Sequence, residues 1–360
     1  MDHPAKTDRR ETRYLKPGAT AEGLTVRRYA LSPSKANRGK IVNGPLVSII
    51  TCTYNRVRML METVSSILAQ QYAPVENLVV DDGSTDDAQK AIAALGDKIR
   101  YHHQEHKGFA AALNFACQKM ARGEYIAIND DDDLMLPGRI SSLYGALSRF
   151  PQAVLAIGDA EMIDADGNRT GKRINPDIEI ERDGPILIED GYKAIMWPLI
   201  RPATCATLFR KTDGERIGWF DEGFSRGGDT DFFGRLAQLG PIVYLPRVVA
   251  CYRRGHPSKW SNNIANNLLC EYSNLMLFKK HLESVCGERR EMAERLQTRM
   301  LHALKMIAFL ACQAENAAGV SKGELMNIKN GLSLLDMKKR LAYEWYIRIR
   351  LPLRNAIRGQ

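Results

Sequence analysis

Asp130, Asp131, Asp132 and Asp133 stand in an unbroken row behind the apolar run Tyr125-Ile126-Ala127-Ile128. Four adjacent carboxylates repel one another, so a fold that gathers them at a strand end needs a counter-charge there. Hard divalent cations such as Mg²⁺ or Mn²⁺ take oxygen ligands and would supply it. The alternative for an isolated run is a solvated acidic turn leading into the next helix. Two further polar clusters bear on the choice. Thr51-Cys52-Thr53-Tyr54-Asn55 follows one apolar run, and Asp81-Asp82-Gly83-Ser84 follows another. Asp229 stands before an apolar stretch through Phe232-Phe233. A carboxylate there either caps a helix or serves as a base.

These clusters need elements to bring them together. Leu46-Val47-Ser48-Ile49-Ile50 reads as a buried strand, and Met59, Leu60, Val64, Ile67 and Leu68 recur behind it at helical spacing. Strand 77–80, helix 86–95, a short strand near 99–101, helix 109–121 and strand 125–128 continue the alternation. Helix 138–149, strands 153–158 and 204–210, a helix from Asp229 and strands near 242–245 and 248–253 complete it. The pattern predicts an α/β fold with a doubly wound, mostly parallel sheet flanked by helices. Ligands of such sheets gather beyond the carboxyl ends of the strands, where the clusters after the first, second and fourth of these strands fall. From Ile264 onward only helical patterns remain. The expected organisation is a basic, poorly structured extension over 1–44, a folded domain over 45–262 and a helical C-terminal region over 263–360.

At 360 residues and 44% hydrophobic, the chain can bury a large core. Its seven cysteines are scattered without a C-x-x-C pair, which argues against a disulfide framework or a zinc site and fits a reducing cytoplasm. No signal-peptide core opens the sequence, and no stretch of 18 apolar residues occurs. The net charge of +9 is concentrated at the ends. Residues 1–44 hold ten Lys/Arg against four Asp/Glu, and 338–360 hold seven against one, leaving a deficit of three between them. Nucleic-acid enzymes carry their positive charge on the folded body, so no nucleic-acid partner is expected. Basic ends suit an anionic membrane surface or solvated tails.

No G-x-G-x-x-G follows the first strand and no G-x-x-x-x-G-K-[ST] occurs, which argues against dinucleotide and P-loop chemistry. Asp81-Asp82-Gly83-Ser84-Thr85 is out of register for the D-x-D-G-T loop of dehalogenase-type phosphatases. Taken in order, Val47 to Arg56, Val79 to Asp86, Gly108 to Asn114, Gly123 to Ile126 and Asn129 to Pro137 resemble a family 2 glycosyltransferase of GT-A fold. Gly218 to Glu222 and Gly227 to Phe232 resemble that family's acceptor-side segment, and Tyr252-Arg253 through His256 to Ser261 its closing loop. The resemblance covers about residues 45–262.

The resemblance implies a metal-dependent, inverting transfer of one sugar from a nucleotide-sugar donor, expected to be UDP-linked, to a glycan or lipid-linked acceptor. Thr53, Tyr54, Asn55, Asp81, Asp82, Lys107 and Asp131 would bind the donor nucleotide. Asp132 and Asp130, as the family's D-x-D, would hold Mg²⁺ or Mn²⁺. His256 would either assist them or merely sit in a turn before Pro257. Asp229 would be the general base, with Asp231 in reserve because many relatives carry Glu-Asp where this chain has Gly228-Asp229. The Q-x-x-R-W segment of processive synthases is absent, which favours single-sugar addition. His102, His103 and His106 lack metal-site spacing and are expected in a surface loop.

Met337, Leu341, Trp345, Ile349 and Leu353 share an arc opposite Lys339, Arg340, Arg350, Arg354 and Arg358. Such a helix fits a peripheral contact with anionic membrane, or packing on its own domain or on a second subunit. The competing functions are a sugar nucleotidyltransferase, which would want a glycine-rich loop after the first strand, and a degenerate binding or scaffold module.

Overall fold

The computed structural model describes residues 26–28, 41–178, 184–224, 226–255, 264–285 and 290–314. His256 and the segment from Met337 to Arg358 lie outside them, as does most of the N-terminal extension. The chain divides into two compact units: the first runs to His256, except that Phe224–Gly227 belongs with the second.

In chain order the strands are β1 (Val26–Arg28), β2 (Val42–Thr53), β3 (Tyr72–Asp81), β4 (Arg100–His103), β5 (Tyr125–Ile128) and β6 (Leu134–Met135). They continue with β7 (Leu155–Ile163), β8 (Arg169–Arg173), β9 (Ile186–Ile188), β10 (Thr207–Arg210) and β11 (Ile242–Arg253). The helices of this unit are α1 (Val57–Leu68), α2 (Ala88–Ala93), α3 (Phe109–Phe115), α4 (Arg139–Arg149), α5 (Gly191–Met196), α6 (Lys211–Arg216) and α7 (Gly228–Ala237). The second unit contains α8 (Ile264–Val285) and α9 (Arg290–Ala314).

All described strands join one sheet, ordered β1-β9-β11-β7-β10-β5-β2-β3-β4, with β6 on β11 and β8 on β7. β2, β3, β4 and β5 pair in parallel, as do β7 and β11. β10 lies antiparallel between β5 and β7, so those two strands point the same way. One edge of the sheet therefore collects the carboxyl ends of β2, β3, β4, β5, β7 and β11.

The apolar periodicity explains the packing. Met59, Leu60, Val64 and Ile67 of α1 are buried, and Leu60 and Val64 meet Val79, Ala88, Ile92 and Ile99. Leu68 ends the helix and stays at the surface, unlike the rest of its stripe. α4 contributes Ile140, Leu143, Ala146 and Leu147 to the larger core, which includes Val47, Ile49, Ala156, Leu208 and Val243. The helix expected over 109–121 is α3 followed by a π-helical turn, Ala116–Met120. Strand β11 is continuous where two strands were expected. Pro246 cannot donate to a ladder, and the pairing with β7 slips on either side of Val248 without ending the strand. The short β8, β9, α5 and α6 were not foreseen. Thr170, Gly171 and Lys172 of β8 are exposed, so no apolar alternation marked it.

The amino edge is tied by Glu76. Its carboxylate accepts hydrogen bonds from Ser48 Oγ (2.6 Å), Arg100 Nη1 (2.8 Å) and the Arg122 amide (2.6 Å). Gly123 passes so close that an added Cβ would lie 2.5 Å from Ser48 N and 2.9 Å from Leu46 O. In the second unit α8 and α9 pack along each other, with the Arg299 guanidinium 4.5 Å from the Phe278 ring centre. No helix among the described residues is long and apolar enough to cross a membrane.

Gly123→Ala is expected to destabilise the protein by about 1–3 kcal/mol, the usual cost of overpacking a closed site. A lowered urea midpoint with an unchanged slope would register it.

Candidate active site

The acidic turn begins where β5 ends. Asn129 N donates to Ile50 O (2.9 Å), continuing the ladder with β2 for one more residue. The chain then winds around the Asn129 side chain, whose Nδ2 lies 3.0 Å from the carbonyl oxygens of both Asp130 and Asp133. Thr63 of α1 places its hydroxyl 3.0 Å from Asp131 O and 2.8 Å from Asp133 O. Arg139, fully buried at the start of α4, donates to Asn129 Oδ1 (2.8 Å), Ile128 O (2.9 Å) and Thr207 O (3.1 Å). Burial pulls its guanidinium down to about 10.

Arg253, at the end of β11, locks the turn from the other side. Its amide donates to Asp133 Oδ1 (2.9 Å) and its Nε to Asp132 O (2.8 Å). Nη1 reaches Ala165 O (2.9 Å) and Nη2 reaches Glu62 Oε2 (2.7 Å). The carboxylates are thereby aimed differently. Asp131 accepts from Thr53 Oγ1 (2.8 Å) and Arg56 Nη1 (3.0 Å). Burial still pushes Asp131 upward, against the opposing pull of Arg56. Asp130, Asp132 and Asp133 bring carboxylate oxygens within 4.8 Å of one another. Such a hard oxygen set suits Mg²⁺ or Mn²⁺. The grouping contains both aspartates of the expected metal pair and adds Asp133, whose Oδ1 is anchored by the Arg253 amide.

The adjoining turn after β3 is built by its own side chains. Thr53 stands opposite Asp81 in the β2–β3 register, and Asp82 N donates to Thr53 O (2.9 Å). Asp81 accepts from Ser84 N (2.7 Å) and from the Tyr101 hydroxyl. Burial would raise Asp81, but these hydrogen bonds hold it below the usual carboxylate range. Asp82 receives the amides of Lys107 (2.9 Å) and Gly108 (2.8 Å) and Gln104 Nε2 (2.7 Å). Lys107 thus enters the structure through its backbone, with its side chain exposed. Asn55, at φ 52°, accepts from Thr85 N (2.8 Å). That left-handed conformation suits asparagine better than most residues.

Tyr54 is 45% exposed and stacks one ring face on His106 at 4.3 Å. The three histidines do not form a cluster. His106 lies 2.9 Å from Asp82 Oδ2, His102 stacks on Phe115, and His103 is 3.6 Å from Asp81 Oδ2. His102 and His103 close β4 instead of lying in the loop where they were expected.

Asp229 lies in the first turn of α7, half-buried. α7 ends shortly before Ile242, which pairs with Leu155 at the amino ends of β11 and β7. The carboxyl end of α7 therefore lies near the amino ends of those strands, and Asp229 stands at the opposite end of the helix. Its own Oδ1 accepts from Thr230 N (2.8 Å), and burial pushes its carboxyl above the usual range. Asp231 is buried against Arg235 (2.7 Å), which in turn holds Ile217 O and Trp219 O. That ion pair gives Asp231 a structural task and leaves it poorly suited to a reserve base. Upstream, Asn114 of α3 grips Phe220 in both directions, through Nδ2 to O and from N to Oδ1, each at 2.9 Å.

Residues 48–218 match the sequence model of Glycosyl transferase family 2. This stretch of the chain belongs to the family. An uncharacterized glycosyltransferase of Rickettsia felis is 31% identical over 228 residues, covering 62% of this chain and 36% of that protein. Glycosyltransferase GlyG of Streptococcus pneumoniae is 37% identical over 127 residues, 34% of this chain and 42% of GlyG. The chain spans only 32–36% of the length of three Rickettsia relatives. Among solved structures, the mannosyltransferase PcManGT of Pyrobaculum calidifontis, in complex with GDP-Man and Mn²⁺, superposes with TM-score 0.51 at 18% identity. That match covers 85% of this chain and 84% of PcManGT. Together with the mixed sheet and flanking helices, this likeness establishes the GT-A fold of the family 2 domain.

Arg56, Glu62, Thr63, Asn129, Arg139 and Arg253 shape the site of this family 2 domain, yet no role was assigned to them from the sequence. Apart from the local bonds of Asn129 to Asp130 and Asp133, the bonds by which they shape the site span 10 to 191 positions, so spacing alone gives little signal for them. Arg253→Met is expected to cost about 1–3 kcal/mol, because the buried Asp132 carbonyl loses the donor that Arg253 Nε supplies. Chemical denaturation would measure it.

Proposed function

We propose that this protein is a metal-dependent, inverting and nonprocessive glycosyltransferase. It moves one sugar from a nucleotide-sugar, with UDP as the expected nucleotide, to a hydroxyl of a glycan or lipid-linked acceptor. The observation that carries the reading is the convergence at one sheet edge. The acidic turn and the Thr53-to-Asn55 and Asp81-to-Asp82 turns meet beyond the carboxyl ends of β2, β3 and β5, joined by the Thr53–Asp131 and Asp82–Thr53 hydrogen bonds, and the reading brings Asp229 of α7 to face them.

In this reading Tyr54, Thr53, Asn55, Asp81, Asp82 and Lys107 frame the nucleoside, and Asp131 meets the ribose. Asp130 and Asp132 hold the divalent ion. When bound, that ion supplies Lewis-acid stabilisation of the charge that builds on the departing diphosphate. Mn²⁺ accompanies the donor in PcManGT, whose donor is GDP-Man, so the nucleotide must be tested and not assumed. Asp229 removes the acceptor hydroxyl's proton as that oxygen attacks the anomeric carbon opposite the leaving group. One displacement inverts the configuration, and no enzyme nucleophile is needed. Its raised carboxyl suits it to the task, because a base is most effective when its pKa approaches the working pH.

Three measurements test the assignment. Calorimetric titration with UDP and GDP is expected to show metal-dependent binding in the wild type and none in Asp132→Asn. Asp229→Asn is expected to keep that binding while turnover falls roughly 10²–10⁴-fold, the usual contribution of general base catalysis; unchanged turnover removes Asp229 from the base role. Protonation disables a base, so kcat/KM is expected to fall as pH drops through the Asp229 pKa. That acid limb should lie above the ordinary aspartate range. A limb at or below it would contradict the assignment.

A further inference from the structure

Three arginines surround the acidic turn, and they are held very differently. Arg139 is completely buried, and the Arg253 side chain is 2% exposed with each guanidinium nitrogen hydrogen-bonded. Neither can leave without opening the fold. The Arg56 side chain is 23% exposed and stands at the start of α1. Its Nη1 lies 3.0 Å from Asp131 Oδ1 but 3.6 Å from Asp132 Oδ2. It therefore has a firm hold on one carboxylate, a looser hold on the next, and a route to solvent.

We infer that Arg56 is an exchangeable counter-ion, which neutralises Asp132 in the metal-free protein and gives it up when a divalent cation binds. The inference rests on the metal reading proposed above and specifies what the ion must displace. A guanidinium within a few ångströms of the same carboxylate repels a doubly charged ion, and part of that repulsion survives the screening where Arg56 is only 23% exposed and Asp132 is buried. Burial disfavours the charged guanidinium, yet Asp131 and Asp132 more than offset this and raise its pKa, so it stays cationic throughout. Coupling of this kind is reciprocal. Whatever the Arg56–Asp132 contact adds to the stability of the metal-free turn, it subtracts from metal affinity. After exchange the guanidinium retains Asp131, so the turn keeps its shape while its second cation changes.

The test uses the full chain stripped with EDTA and titrated with Mn²⁺ alone. Arg56→Gln is expected to bind Mn²⁺ at least about fivefold more tightly than wild type, on the Coulombic argument. In EDTA it should unfold at a lower temperature, with the gap narrowing as Mn²⁺ is added. Arg56→Lys, which retains the charge, should stay within about twofold of wild type. Equal or weaker binding by Arg56→Gln, while the wild type binds, overturns the inference and leaves the metal reading standing. No Mn²⁺ binding by the wild type sinks both. A second readout needs no folded neutral variant: the Nε–H resonance of Arg56, identified by its loss in Arg56→Lys, should shift on saturation with Mg²⁺. A resonance that stays in place overturns the exchange.

Discussion

The structure depends on reconciling concentrated negative charge with burial. Asp131, Asp132 and Asp133 are all buried, and removing charges from water costs several kcal/mol per ion unless they are paired and hydrogen-bonded. The chain answers with cations and donors from three places. Arg56 and Thr63 come from the first crossover, Arg139 from the helix after the turn, and Arg253 from the last strand. The turn is therefore no local motif that happens to sit on a sheet. Its shape is complete only when β11 has joined β7 and delivered Arg253, 121 residues after Asp132. Glu62 extends the dependence by tying Arg253 back to α1.

The same logic organises the other half of the domain. β10 reverses direction between β5 and β7, and the chain then continues into the segment from Gly218 to Phe232. That segment is then fixed by polar contacts in a buried setting. Asn114 grips Phe220, Arg235 grips Ile217 and Trp219, and the Phe232 ring stacks on Phe220 at 4.0 Å. The first contact ties the segment to α3, and the other two tie it to the body of α7. Deleting one partner would leave a buried backbone group unsatisfied, which costs more than the hydrogen bond was worth.

What could be read beforehand followed from local physics. The apolar runs of β2, β3, β5 and β7 declare themselves because both faces of these strands are buried. The polar clusters are legible because chemistry requires those residue types at strand ends. What could not be read was either short or remote. β8 is polar and mostly exposed, so its Arg-Thr-Gly-Lys-Arg sequence looks like loop. His102 and His103 looked like loop residues, yet they extend β4 by pairing beside Val80 and Asp81. Arg139 follows Pro137-Gly138 and gives no sign that it will be buried without a carboxylate in direct contact, held by carbonyl oxygens and an asparagine. Asp231 looked like a spare base because its partner Arg235 is visible only once a helix is built and the i, i+4 pair faces inward.

Adjacent aspartates can divide their tasks because a tight turn sends successive side chains in different directions. Asp131 points to Thr53 and Arg56, and Asp133 accepts the Arg253 amide. Both carboxylates are thereby bound to the frame whether or not a ligand is present. Asp130 is the most exposed of the four, and Asp132 is the one whose side chain Arg56 holds only at 3.6 Å. The alternation is a physical requirement more than a coincidence of sequence. If all four were left to a ligand, the metal-free turn would repel itself apart; if all four were locked internally, no cation could be coordinated. On the reading proposed above, a frame that fixes the second and fourth carboxylates and lends the third a removable counter-charge would be stable without metal and still able to bind it.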